Sequence, residues 1–393
     1  MRRTATLLSA FALIGSFVVL GPRSDAAAPA SLKVQAGAVP KGNAPYEYNR
    51  FYPDVVKVHR GQTLRVGIFG FHTFTYAKAG RSSFLRADEI PGVYAWPEES
   101  VFGSGCGRGG TPCVLAPETT FASSAAPLFD GSPVDVKVDV PPGRYTYFCQ
   151  IHVTMSGTID VVANSVAIPT QKQVNEQVAS AVRKDTAAAD KLFKADQVPV
   201  SKVDADGVRT WRVLAGDATP DNHVQFLTYL PSKLAVEAGD RVRFVMKKQF
   251  AGDPHTVTFP AAAVGTSDVP VPNGLAGFGV DLSCDVDDPK SGLPGVIGFW
   301  GVLGPPCPAS LEVVWAPWMI DPHPAPGNLV ALPASYHDSG MLIGPKYPKA
   351  LRSLPDGGRP FPSSFDADFP AEGSFAYACS VHGDFMTGTV DVS

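Results

Sequence analysis

The chain has 393 residues, room for two or three domains at about 150 residues each, and 45% of them are hydrophobic, which excludes wholesale disorder. Lys plus Arg number 33 against 37 Asp plus Glu, a formal charge of −4. That balance is a poor match to phosphate backbones, so no nucleic-acid partner is expected. Gly (38) and Pro (37) predict short elements and many turns.

The N-terminus reads as a targeting segment. Arg2 and Arg3 precede an apolar run from Ala5 to Leu20, and Ala28-Pro29-Ala30 offers a small-x-small cleavage site before Ser31. The run is shorter than the roughly 20 residues a spanning helix needs. Residues 1–30 are therefore expected to be a cleaved signal peptide. The Arg pair raises twin-arginine export, although the residues after it match that signal poorly. The mature protein is expected to be extracytoplasmic, secreted or periplasmic, with no stable membrane insertion.

The remainder is one unit present twice. Val34-Gln35-Ala36-Gly37 echoes Val213-Leu214-Ala215-Gly216, and His72-Thr73-Phe74-Thr75 echoes His255-Thr256-Val257-Thr258. Gly143-Arg144-Tyr145-Thr146-Tyr147-Phe148-Cys149 matches Gly373-Ser374-Phe375-Ala376-Tyr377-Ala378-Cys379, and Gly157 to Val161 matches Gly388 to Val392. The predicted organisation is a first domain over 31–163, a linker over 164–203 and a second domain over 204–393. Val134 to Val140 alternates strictly, as does Arg241 to Val245, which predicts half-buried strands. Each copy is expected to be a sandwich or barrel. Gln171 to Asp196 has no Gly or Pro and places Val174, Val178 and Val182 at helical spacing after a possible Thr170 N-cap. This predicts a connecting helix packed weakly on one domain.

Each copy holds three cysteines. In an exported protein the spare pairs are expected as disulfides, with Cys106–Cys113 and Cys284–Cys307 favoured among three connectivities. Cys149 and Cys379 are left over, and their neighbours account for them. Cys149-Gln150-Ile151-His152-Val153-Thr154-Met155 is C-x2-H-x2-M, and Cys379-Ser380-Val381-His382-Gly383-Asp384-Phe385-Met386 is C-x2-H-x3-M. Thiolate and thioether suit Cu(I), and imidazole tolerates Cu(II). One further imidazole completes a His2Cys trigonal set with a weak axial Met, the blue-copper arrangement. The repeat selects that imidazole. His59 aligns with Glu237 and is not shared, whereas His72 aligns with His255. The expected ligands are His72, Cys149, His152 and Met155 at one site, and His255, Cys379, His382 and Met386 at the other. Zinc is the lesser option, because structural zinc sites favour sets without Met.

The segment Gly-x-Tyr-x-Tyr-x-Cys followed by x2-His and a nearby Met resembles the final strand pair and ligand loop of the cupredoxin family, the blue copper proteins of plastocyanin and amicyanin type. Asp253-Pro254-His255-Thr256-Val257 is similar to the segment carrying the upstream His in that family. The resemblance implies an all-β fold of two Greek-key β-sandwich domains joined by a short helical linker, with a type 1 copper at one end of each. The second copy departs from the pattern. Its loop has one extra residue, and its His-to-Cys span is 124 residues against 77, with an insertion near 260–370 that includes Trp315, Trp318, His323 and His337.

Tandem cupredoxin domains also occur in multicopper oxidases and copper nitrite reductases, which need further copper held largely by His. This chain has no His-x-His, and Phe148 and Ala378, not His, precede the ligand cysteines. His59, His223, His323 and His337 stand singly and read as surface or core residues. The expectation is an electron carrier and not an enzyme, with a redox protein as partner and no small-molecule substrate. Copper storage or delivery is the competing reading.

Overall fold

The structure is a computed structural model describing residues 31–42, 44–78, 105–107, 111–124, 133–152, 154–261, 329–330, 337–347, 361–379 and 382–393. The predicted signal peptide, the Cys284–Cys307 pair, and Trp315, Trp318 and His323 lie outside these residues. Among the described residues no helix is long and apolar enough to cross a membrane.

Two β-sandwiches make up the fold. In the first, one sheet runs in spatial order Phe51–Tyr52, Leu32–Ala36, Thr63–Ile68, Val134–Val138 and Cys113–Leu115. The facing sheet runs Val55–His59, Ser156–Val162, Gly143–Phe148, Thr75–Ala77 and Phe121–Ser123. Alternation in the sequence becomes alternation in burial. Val134, Val136 and Val138 are fully buried, while Asp135 and Lys137 face outward. Burying each such valine stabilises the fold by about 1.5–3 kcal/mol. These valines pack with Val34, Leu64, Val66, Phe74, Tyr147 and Ile159 between the sheets. A Cys106–Cys113 disulfide ties a loop to the strand that begins at Cys113, as expected.

The second sandwich repeats the plan. One sheet runs Leu329–Val330, Ser364–Asp368, Arg241–Val245, Arg209–Ala218 and Val224–Leu230. Its partner runs Lys233–Val236, Gly383–Val392, Gly373–Cys379, Thr258–Phe259 and His337–Asp338. Val200–Val203, at the end of the predicted linker, pairs antiparallel with Arg209–Ala218. Val213, Tyr229, Val242, Phe244, Tyr377 and Val390 fill the space between the sheets.

One strand crosses between the copies. Tyr46–Tyr48 pairs antiparallel with Val224–Leu230, setting Tyr48 opposite Val224 and Glu47 opposite Gln225. A strand from the first half of the chain thus completes a sheet of the second.

The helix Gln171–Asp196 starts where the sequence places it. Gln173 N donates to Thr170 Oγ1, and Gln173 Oε1 accepts from Thr170 N, a reciprocal cap. The expected weak packing on one copy is not observed. Ala189 is buried with Val178, Val182, Leu192 and Phe193 beside it, against Tyr46, Tyr48 and Tyr52 on one side and Leu214, Val224 and Phe226 on the other. Polar anchors reach both ways as well. Asp185 accepts from Arg50 Nη1 at 2.9 Å and from Tyr52 OH at 2.8 Å. Lys247 Nζ donates to Asp196 at 2.7 Å and to Asp217 at 2.6 Å. Periodicity identified the apolar face. The buried Asp185 and Asp196 on the same helix show only in the packing.

Candidate metal centre

The strand pair Gly143–Phe148 and Ser156–Val162 is joined by a tight loop that carries three of the first four predicted ligands. Cys149 N donates to Met155 O and Met155 N donates to His152 O, both at 3.0 Å. These two bonds fold Cys149, His152 and Met155 onto one end of the sandwich. His72 arrives on the segment leading into Thr75–Ala77, which pairs through Thr75 and Phe148 with the strand that ends just before Cys149. His72 Nδ1 lies 3.0 Å from His152 Nδ1, and Cys149 Sγ lies 3.6 Å from His152 Nδ1. All four residues are at least 97% buried.

The second cluster has the same form. His255 Nδ1 is 3.1 Å from His382 Nδ1, and Cys379 Sγ is 3.9 Å and 3.4 Å from the two rings. Met386 is fully buried on Gly383–Val392. The extra loop residue is absorbed by a register shift, with Ala378 opposite Thr387 but Cys379 opposite Gly383. The structure therefore brings each predicted His2Cys trio together, with a buried Met on the adjoining loop or strand. Of the remaining histidines, His59 Nε2 meets Val166 O and His223 lies 3.1 Å from Asp221.

Two further features recur that the sequence reading did not single out as functional. Thr73 N points to Cys149 Sγ at 3.4 Å and Thr256 N to Cys379 Sγ at 3.3 Å, so each sulfur has a backbone donor. Gly37 and Gly216 back the upstream rings. Both have positive φ, +70° and +73°, and a Cβ there would fall 2.7 Å from His72 Nε2 and 2.3 Å from His255 Nε2. The signal was present, since both glycines fall in the repeated Val-x-Ala-Gly, but sequence alone does not say what they touch.

The electrostatics favour deprotonated sulfur. Burial alone would raise the Cys149 thiol. Hydrogen bonds to His152 and His72, with the charge of both rings, hold it well below its ordinary range. Cys379 is lowered in the same way, burial opposing and the His382 charge and both ring hydrogen bonds prevailing. Thiolate is the form that binds metal.

The outer edges of the rings turn toward a pair of carboxylates. Glu47 Oε1 is 3.6 Å from His72 Nε2, and its Oε2 is 3.4 Å from His152 Nε2. Asp253 Oδ2 is 3.4 Å from His152 Nε2 and 3.8 Å from His382 Nε2. Gln225 Nε2 donates to Asp253 Oδ2 at 2.8 Å, and its Oε1 accepts from Asp253 N at 3.1 Å. Burial would raise both acids. The charge of His152 outweighs it, lowering Glu47 to about 2 and Asp253 well below the carboxylate range.

A two-sheet β-sandwich with a buried His2Cys trio and a Met at the end of its last strand pair is cupredoxin-like, and this chain contains that arrangement twice. Similar solved structures include a Cu(I) mutant of amicyanin, 13% identical over 50% of this chain and 93% of that one, TM-score 0.20. Others are plastocyanin from Dryopteris crassirhizoma, 16% identical over 46% and 99%, TM-score 0.19, and auracyanin A, a "blue" copper protein from Chloroflexus aurantiacus, 15% identical over 47% and 98%, TM-score 0.20. No family profile and no curated protein matches the chain.

Proposed function

We propose that this protein binds two copper ions in type 1 sites, one per sandwich, and acts as an extracytoplasmic electron carrier. The observation that carries the reading is the duplicated trio of two facing Nδ1 atoms and one sulfur. Two ring nitrogens about 3 Å apart beside a thiolate cannot all act as acceptors for one another, whereas one cation satisfies all three. The donor set fits copper better than zinc, because a thioether is a soft ligand that zinc sites rarely use. His72, Cys149 and His152 would hold the first ion with Met155 as weak axial ligand. His255, Cys379, His382 and Met386 would hold the second.

Copper supplies one-electron chemistry between Cu(I) and Cu(II). The chain supplies the frame that would hold it: a strand pair at each ligand Cys, burial of the ligand side chains, and an amide aimed at each sulfur. Export is supported by the Cys106–Cys113 disulfide, which persists in oxidising compartments. The partner in this reading is a redox protein, and no reaction on a small substrate is assigned.

The test is metal content and visible absorption of the mature protein. Two coppers per chain and intense thiolate-to-copper absorption are expected, with reversible one-electron cycling. Zinc alone, with no colour after Cu(II) addition, would overturn the reading. Copper that binds but does not cycle would favour storage or delivery.

A further inference from the structure

The ligand rings of the two clusters do not face solvent. His152 is 3% exposed and His382 is 7% exposed, and their outer edges meet the same Asp253 oxygen. The separation of those edges is thus no greater than the sum of two contact distances, 3.4 Å and 3.8 Å. Asp253 is held on two sides by Gln225, and Glu47 extends the bridge to His72. The crossing strand brings the carboxylate of the first half into this group, because Glu47 lies on Tyr46–Tyr48 directly opposite Gln225. A ring that binds a metal through Nδ1 carries its proton on Nε2, and that proton seeks a carboxylate. Here one carboxylate faces such protons from both clusters.

We infer that Asp253, supported by Glu47 and Gln225, is a positioning residue that joins the two copper centres into one internally connected pair, with electrons passing between them along His152, Asp253 and His382. This inference rests on the copper reading above. The step is an exchange of a single electron: Cu(I) at one centre becomes Cu(II) as Cu(II) at the other becomes Cu(I). No bond forms or breaks, and no proton need leave the bridge. Tunnelling weakens steeply with distance, and these contacts span two solvent-shielded rings through a single buried carboxylate.

The experiment uses the full chain with two coppers, its content and colour verified first. A flash reductant delivers less than one electron per chain, and the redistribution of the two oxidised-site signals is followed in time. The expected wild-type result is a redistribution phase whose rate does not depend on protein concentration. Asp253→Ala should slow that phase by roughly tenfold or more, the scale of losing an outer-shell partner. Asp253→Asn retains an acceptor oxygen and the shape, and should restore most of the rate. Only molecules holding two coppers are compared. Should Asp253→Ala fail to fold, Glu47→Gln, which touches His72 and His152, provides a second reading through a shifted potential at the first centre together with a slowed redistribution phase. A redistribution that scales with protein concentration, or equal rates in wild type and Asp253→Ala, would overturn the inference while leaving the copper reading intact. Absence of copper or colour would instead remove the copper reading, and the inference with it.

Discussion

Replacing Asp185 by Ala should loosen the helix from the first sandwich at a cost that follows from its contacts. The carboxylate side chain is 2% exposed and accepts two bonds from Arg50 Nη1, at 2.9 Å and 3.2 Å, and one from Tyr52 OH. Losing a charge-assisted bond costs about 1.5–3 kcal/mol, and leaving the buried Tyr52 hydroxyl without an acceptor costs about 1–3 kcal/mol. Together these sum to about 2.5–6 kcal/mol, which brackets the range of about 3–5 kcal/mol typical of a broken buried pair. Arg50 retains Asp54 as a partner, which places the expected loss near the lower end, about 3 kcal/mol. Urea unfolding reports the loss, and amide exchange along Gln171–Asp196 shows whether the helix opens first. Tyr52→Phe supplies the control. In the wild type it should cost about 1 kcal/mol. In the Asp185→Ala background it removes an orphaned hydroxyl and should cost less, or stabilise. A loss below about 1 kcal/mol for Asp185→Ala, or an equal cost of Tyr52→Phe in both backgrounds, would refute the coupling of these groups.

Burial beside Asp196, only partly offset by Lys247, pushes the Asp217 carboxyl up to about 7. A carboxyl raised above its unfolded value binds more protons when folded, so its contribution to stability should fall as pH rises from about 4 to about 7. Thermal melts across that window should show a shallower slope for Asp217→Asn, and parallel slopes would argue against the assignment. Gly216→Ala sets a methyl 2.3 Å from His255 Nε2 at a φ of +73°, so copper at the second site should be weakened or lost while the first keeps its absorption. Two full coppers with unchanged spectra would contradict the cradle. Cys149→Ser should reduce copper from two per chain to one, because the described ligand atoms of each trio come from one sandwich. Loss of both signals from a folded variant would show shared ligands.

Much of this protein was legible from the chain because the repeat acts as its own control. His72 could be separated from His59 only because the repeat matches His72 with His255 but His59 with Glu237. Alternation gave strands such as Val134–Val138, since one buried face imposes a period of two. Glu47 and Asp253 could not be found that way. They lie in different copies, 206 positions apart in the numbering, and the repeat matches neither with a second carboxylate, setting Gly70 opposite Asp253 and Gln225 opposite Glu47. Their meeting depends on how the two sandwiches dock, and docking leaves no period in sequence. The role of the helix was hidden for a related reason. Val174, Val178 and Val182 state that one face is apolar, but not that the two sides of that face touch different sandwiches.

The crossing strand has a consequence for any attempt to study the halves alone. Without Tyr46–Tyr48, the strand Val224–Leu230 would end its sheet with a row of unpaired amides and carbonyls. Six of its seven residues are buried in the intact chain, among them Val224, Phe226, Tyr229 and Leu230. A long apolar edge of that kind is a template for pairing with other chains. A fragment beginning near residue 204 would therefore be prone to self-association through that edge, and supplying residues 44–52 as a separate peptide should suppress it by restoring the missing strand.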